Sequence, residues 1–295
     1  MIEPLIRNCI MQSSQAEILT TYNGEPAVFY QLAPHDTDRN WDNRMMYPRV
    51  DYYVDWSYNA ERKTSGTLEV NVWCLGESGI APEDIATELA NEMSETFFND
   101  GENVVCIVWN NNNSFESGEK EEPRIYGVTI IFDLLAFPKQ TVYINPDPVL
   151  AMNEYLKKMI CDAYMLGYDE LPETFKASNE EPAIYVRLAA NNADNRRSWA
   201  IAWWNCTISI HVIAPDPNVR ELIIQKLSHK MSLDGECLIT DTSPLLFSQL
   251  SINYGINPLF DGQLNVTGRY GVLNHDDDCC CTPMLNVIHR KVVQD

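Results

Sequence analysis

The sequence predicts an α+β protein made of two tandem copies of one unit, each an antiparallel β-sheet flanked by helices. Three observations predict it. The stretches YPRVDYYVDW at 47–56 and EPAIYVRL at 181–188 each place a proline before alternating apolar residues. Alternation of period two sets every second side chain on one face of a strand. Each stretch also precedes a second alternating run and then a helical pattern, in the same order. Finally, individual residues correspond: Pro48 with Pro182, Val50 with Ile184, Val70 and Val72 with Ile210 and Val212, Ala81-Pro82 with Ala214-Pro215, and Met93 with Met231. The offsets run from 133 to 140 residues. That is far beyond a solenoid period, so a whole domain is duplicated.

The first unit (1–136) opens with a helix over 2–14, with Leu5, Ile6, Cys9 and Ile10 on one face and Pro4 in the first turn, where its missing N–H costs nothing. A turn at Asn23-Gly24 leads to a strand over 27–32, and the polar segment 33–46 reads as loop. Strands over 49–56 and 67–73 then form an antiparallel hairpin around the turn region SYNAERKTSG. Ala81-Pro82-Glu83-Asp84 starts a helix whose buried stripe is Ile85, Leu89, Met93 and Phe97. A strand over 104–109, the polar loop NNNNSFESGEKEEP and a strand over 124–135 complete the unit.

A proline-containing extended linker (137–148) leads to the second unit, 149–274. Its helix over 149–164 carries Leu150, Asn153, Leu156 and Ile160, and a strand follows over 183–188. A loop holding Arg196-Arg197 comes before a long strand over 200–213. The helix opened by APDPNV presents Val219, Leu222, Ile223 and Leu227, and strands lie near 236–240 and 263–273. The tail, 275–295, stands apart.

The 295 residues carry a formal charge of −21, with 42 acids against 21 bases. Broad adhesion to nucleic acid needs clustered Lys and Arg, so this class is excluded, while passage of DNA without binding is compatible. By direct count, residues 1–147 hold 24 acids and nine bases, a net −15, which leaves −6 for the rest. Of the nine cysteines, Cys9, Cys74, Cys106, Cys161, Cys206 and Cys237 are scattered, several of them inside apolar patterns, which favours reduced thiols over a disulfide framework. The N-terminal residues lack a basic and then long apolar pattern, and no run reaches the length of a membrane span, so neither leader nor membrane partner is expected. The sequons at Asn112, Asn205 and Asn265 then carry no glycan.

Candidate chemistry is sparse, and no cofactor is expected. His35, Asp36 and Asp38 in HDTD offer imidazole and carboxylates to a divalent ion, which would suit a metal-dependent hydrolase. Trp199, Trp203 and Trp204 could form a stacking platform for a carbohydrate or small molecule, against core packing as the alternative. In HDDDCCC at 275–281 adjacent cysteines lack the Cys-x2-Cys spacing of a zinc site, even with His275 and His289 nearby. His211 stands opposite Ile210 and Val212 in its strand and is expected at a surface or interface, and His229 on a polar helix face. No nucleophile elbow, phosphate-binding glycine loop or His-Glu-x-x-His string is present.

The unit order, with hairpin YPRVDYYVDWSYNAERKTSGTLEVNVW and helix PEDIATELANEM, resembles the tail terminator (tail-completion) proteins of tailed bacteriophages and related neck proteins. The resemblance implies a non-enzymatic structural protein of the virion, assembled in the host cytoplasm into a ring that caps the tail tube. Its partners would be itself, the tail tube protein, head–tail connector or neck proteins, a sheath if the tail contracts, and DNA passing through without specific binding. The chain departs from that family in being doubled. Three chains would then close a pseudo-sixfold ring, or six chains a hexamer with second domains outside. Arg62-Lys63 and Arg196-Arg197, at corresponding hairpins, are candidate inter-subunit contacts. Glu116, Glu119, Glu121 and Glu122 are candidates for an acidic loop at the lumen or an axial interface, against a solvated loop as the alternative.

Overall fold

A computed structural model describes residues 2–42, 45–56, 64–101, 103–117, 124–138, 146–197 and 201–273, with the side chains of 64 and 195–197 left out. Unit one runs α1 (Glu3–Gln12), β1 (Thr21–Tyr22), β2 (Glu25–Pro26), β3 (Val28–Tyr30), β4 (Arg49–Trp56), β5 (Thr64–Leu75), α2 (Pro82–Met93), β6 (Thr96–Asn99), β7 (Asn103–Ser117) and β8 (Ile125–Pro138). Unit two runs α3 (Pro148–Met159), β9 (Tyr164–Leu166), β10 (Thr174–Lys176), β11 (Ala183–Arg197), β12 (Ile201–Ile213), α4 (Pro217–Asp234), β13 (Glu236–Leu238), β14 (Pro244–Ile252) and β15 (Leu264–Leu273).

The duplication is visible strand by strand. The first sheet has the order β10-β6-β7-β8-β5-β4-β3 and the second β13-β14-β15-β12-β11-β9. Without β10, the two orders superpose element for element. Among the described residues each sheet has a single parallel neighbouring pair, β3 with β4 and β9 with β11. Register makes the match residue-specific. Val50 faces Val72 as Ile184 faces Val212, and Tyr52 faces Val70 as Val186 faces Ile210. One strand further, Val70 faces Ile130 as Ile210 faces Leu264.

Each sheet carries its pair of helices on one face. In unit one Ile6 and Ile10 of α1 and Ile85, Leu89 and Met93 of α2 pack on Val50, Val70, Ile130 and Phe132. In unit two Met152 and Leu156 of α3 and Ile224, Leu227 and Met231 of α4 pack on Ile184, Ile210 and Val266. Each such side chain contributes about 1.5–3 kcal/mol on burial, so the helix stripes and the sheets' inner faces hold each unit together.

Local chemistry places the helix ends. Pro82 starts α2 with Glu83 and Asp84 in its first turn, where the helix dipole favours carboxylates. Asp147 caps α3 by accepting from the Val149 and Leu150 amides at 2.8 and 3.1 Å. Asp216 caps α4 through the Asn218 amide at 2.9 Å. Gly235, at φ 69°, ends α4 in the left-handed region, with its N–H on the Met231 carbonyl.

Several expectations are corrected. Phe97 is not on the α2 stripe: the helix ends at Met93, Glu95 turns at φ 60°, and Phe97 enters β6 on the opposite face of the sheet. The polar run after Trp109 is not loop up to Ser117, because β7 continues through it, paired with β8 from Asn111↔Ile131 to Ser117↔Ile125. β6 pairs with β7 only as far as Ile107, so among the described residues this later half of β7 is a sheet edge, where polar residues suit the strand. The α3 helix stops at Met159, and Tyr164 begins β9. The counterpart of Pro82 at a helix start is Pro217 rather than Pro215, because Asp216 is the better cap. On α4 the buried stripe is Ile224, Leu227, Ser228 and Met231, and Leu222 is exposed. Strands β1, β2, β6, β9, β10 and β14 were not expected from the sequence, and the expected linker start, Phe137-Pro138, is the end of β8.

Candidate assembly interface

The two units meet through their reverse faces, those without helices. From unit one come Phe97, Cys106, Leu135 and Phe137, and from unit two Leu166, Phe175, Tyr185 and Ile213. Phe97 stacks on Phe175 with ring centroids 5.0 Å apart and planes 9° from parallel, while Phe137 meets Tyr185 edge to face at 5.2 Å. The ends of the sheets in contact are different: β6, β7 and β8 on one side, β9, β11 and β12 on the other. The junction is therefore heterologous, like the head of one unit on the tail of the next.

Strand addition locks this junction. β10, which belongs to the β9–β11 connection of unit two, pairs antiparallel with β6 of unit one through Thr174↔Phe98, Phe175↔Phe97 and Lys176↔Thr96. The Asn99 amide donates to the Glu173 carbonyl at 2.9 Å, and its side chain donates to the Leu171 carbonyl at 2.8 Å. Asp169 pins the start of this connection, accepting from Lys157 Nζ at 2.6 Å and the Met165 amide at 3.0 Å. Burial at the junction pushes the Cys106 thiol well up and pulls the Lys176 ammonium down, although Cys9, Glu95, Cys106 and Glu92 oppose the second shift. His211 also belongs here. It is fully buried rather than at a surface, with Nδ1 2.8 Å from the Pro258 carbonyl and its ring against Tyr185.

The equivalent edges elsewhere differ. Among the described residues β13, the counterpart of β6, pairs only with β14. Leu238 at its end is 61% exposed. In unit one the reverse face near β3–β5 is polar and aromatic. Asp51 accepts from Asn71 Nδ2 at 2.8 Å and Trp73 Nε1 at 2.5 Å, and Thr129 donates to Asn71 Oδ1 at 2.6 Å. Tyr22, Phe29 and Trp41 cluster edge to face beside it.

The residues singled out in the sequence fall in several places. Glu116 lies in β7, exposed, 3.7 Å from Arg124. Arg196 and Arg197 are the last two residues of β11, with Arg197 in register with Ala202, rather than in a loop, and their side chains lie outside the description. Arg62, Lys63, Glu119, Glu121, Glu122, Trp199 and the tail with its cysteines and histidines lie outside the described residues. His35, Asp36 and Asp38 turn to separate partners: Thr37 for His35, Arg49 at 2.9 Å for Asp36, and Tyr22 with the Asn40 amide for Asp38. Among the described residues no three His, Cys, Asp or Glu are placed to hold a metal ion. Trp203 and Trp204 leave β12 on opposite faces, Trp204 against the core of unit two and Trp203 under the Arg269 guanidinium at 4.4 Å. They make no common platform. His229 is exposed, as its helix face predicts.

The junction itself is what the sequence did not signal. Phe175 and Lys176 sit in a connection without alternation, and a three-residue strand is below the length at which periodicity can be read. Among the described residues no helix is long and apolar enough to cross a membrane. No protein-family model matches the chain, and no curated protein matches it.

Proposed function

We propose that this chain is a structural protein of a tailed bacteriophage, a tail-terminator or neck-ring subunit that caps the tail tube and joins it to the head connector. The observation that carries the reading is the head-to-tail docking of two units with one topology. A heterologous interface repeated between like units generates a closed ring or an open filament, never an isolated pair. Three chains supply six units, the count a pseudo-sixfold ring needs. The resemblance of hairpin and helix to tail terminators supplies the phage context.

The charge fits a channel that DNA traverses. Phosphates are repelled by carboxylates, so an acidic lumen does not retain the duplex. Unit one, at net −15, is the better lining, and Glu116 with its neighbours Glu119, Glu121 and Glu122 is the proposed lumenal or axial segment. Arg62-Lys63 and Arg196-Arg197 are proposed contacts to the acids of adjoining units. The work is positional, and no catalytic residue is assigned.

The test is capping. Added to polymerising tail tube protein, the purified chain is expected to yield tubes with a blunt, protein-capped end and to stop their elongation. Tubes that elongate unchanged, with no density at either end, contradict the proposal.

A further inference from the structure

The units of one chain already display half of a repeating contact, so the other half can be located by register. Phe98 and Cys237 are the inward residues of β6 and β13, paired with Val105 and Leu245 respectively. Leu238 therefore stands where Asn99 stands in unit one. Asn99 is the residue that receives the β9–β11 connection, through the Leu171 and Glu173 carbonyls. In unit two that place is taken by an exposed leucine.

The complementary segment is equally defined. Val28 is to Val50 what Met165 is to Ile184, so the residues after β3 correspond to those after β9. By the same offset Leu32 matches Asp169, which lines one cleft with Asn99 and Leu171 in the junction within the chain. Leu32 is 84% exposed and Tyr30, two residues before it, 41% exposed, so the counterparts of both sides of that cleft carry open apolar side chains.

We infer that the β13 edge and adjoining reverse face of unit two are the docking site for unit one of a second copy of this chain. The segment after β3 of the incoming chain lies along β13 as the segment after β9 lies along β6, which places Leu32 and Leu238 on opposite sides of one cleft. This deepens the ring reading and rests on it for closure. The contact is continuous with the junction within the chain, which places successive units in the same relation.

The experiment uses the full chain in two parts. Sedimentation is measured for the native protein and for Leu238→Asp, with circular dichroism and thermal unfolding as controls for folding. Because Leu238 is exposed, the variant is expected to fold like the native chain while its self-association weakens at least roughly tenfold, the loss of one buried leucine. Independently, Leu32→Cys and Leu238→Cys chains, each in a background with Cys9, Cys161, Cys279, Cys280 and Cys281 replaced by serine, are mixed and treated with a short bis-maleimide. Covalent dimers are expected in the mixture and not with either variant alone. Association of Leu238→Asp at native strength, absence of the mixed dimer, or a native chain monomeric at millimolar concentration overturns the inference. Tubes capped normally by Leu238→Asp would sink this interface and spare the proposed function. Assembly through Leu238 without affinity for the tube would do the reverse.

Discussion

Asp51 illustrates how one residue differs between matched units. At its register place unit two has Tyr185, part of the apolar junction, whereas Asp51 is buried in a polar network with Asn71 and Trp73. Burial raises its carboxyl above the ordinary range, against the lowering effect of the Asn71 and Trp73 hydrogen bonds and of Arg49. A carboxyl raised by folding favours the folded state when protonated. Its contribution is full below the unfolded value of about 4 and is lost as pH rises through the folded value. Carboxyl NMR titration is expected to place Asp51 above the ordinary aspartate value of about 4, and Asp51→Asn to flatten that part of the stability profile. A midpoint at or below that value contradicts this expectation.

At the scale of elements, the β4–β5 hairpin depends on Gly66. Its φ of 150° and the irregular register beside it bring the backbone so close to β4 that an added Cβ would stand 2.0 Å from the Asp55 carbonyl oxygen. Neither backbone can yield without breaking the ladder. Gly66→Ala is expected to cost more than about 2 kcal/mol in urea unfolding, in the range of backbone strain at a special conformation. A cost below about 0.5 kcal/mol would show that the hairpin yields easily. Elements of this kind were legible in the sequence where apolar periodicity was strong: β4, β5, β12, β15 and the stripes of α1 and α2. Illegible were β10 and β14, the first too short to alternate and the second interrupted by an irregular register between Phe247 and Gln249. The phase of α4 was misread because VRELIIQKL offers two apolar stripes, and only packing selects Ile224 and Leu227 over Leu222.

At the scale of the whole molecule, duplication was readable because matched residues of both hairpins lie on the core faces, where burial restricts identity. The junction was not, since a contact between units leaves no periodic trace. Its aromatic members, Phe97, Phe137, Phe175 and Tyr185, look like ordinary strand or core residues in the sequence. Yet this contact gives the fold its direction. Head-to-tail docking inside one chain leaves an unlike pair of ends, the β3 side of unit one and the β13 side of unit two. A ring requires the joining of such ends between chains. Native mass spectrometry combined with negative-stain class averages tests it most directly. Closed rings with a central hole are expected, showing two lobes for every chain, six lobes at the mass of three chains. Particles of twofold symmetry, or rings with one lobe for each chain, would contradict it.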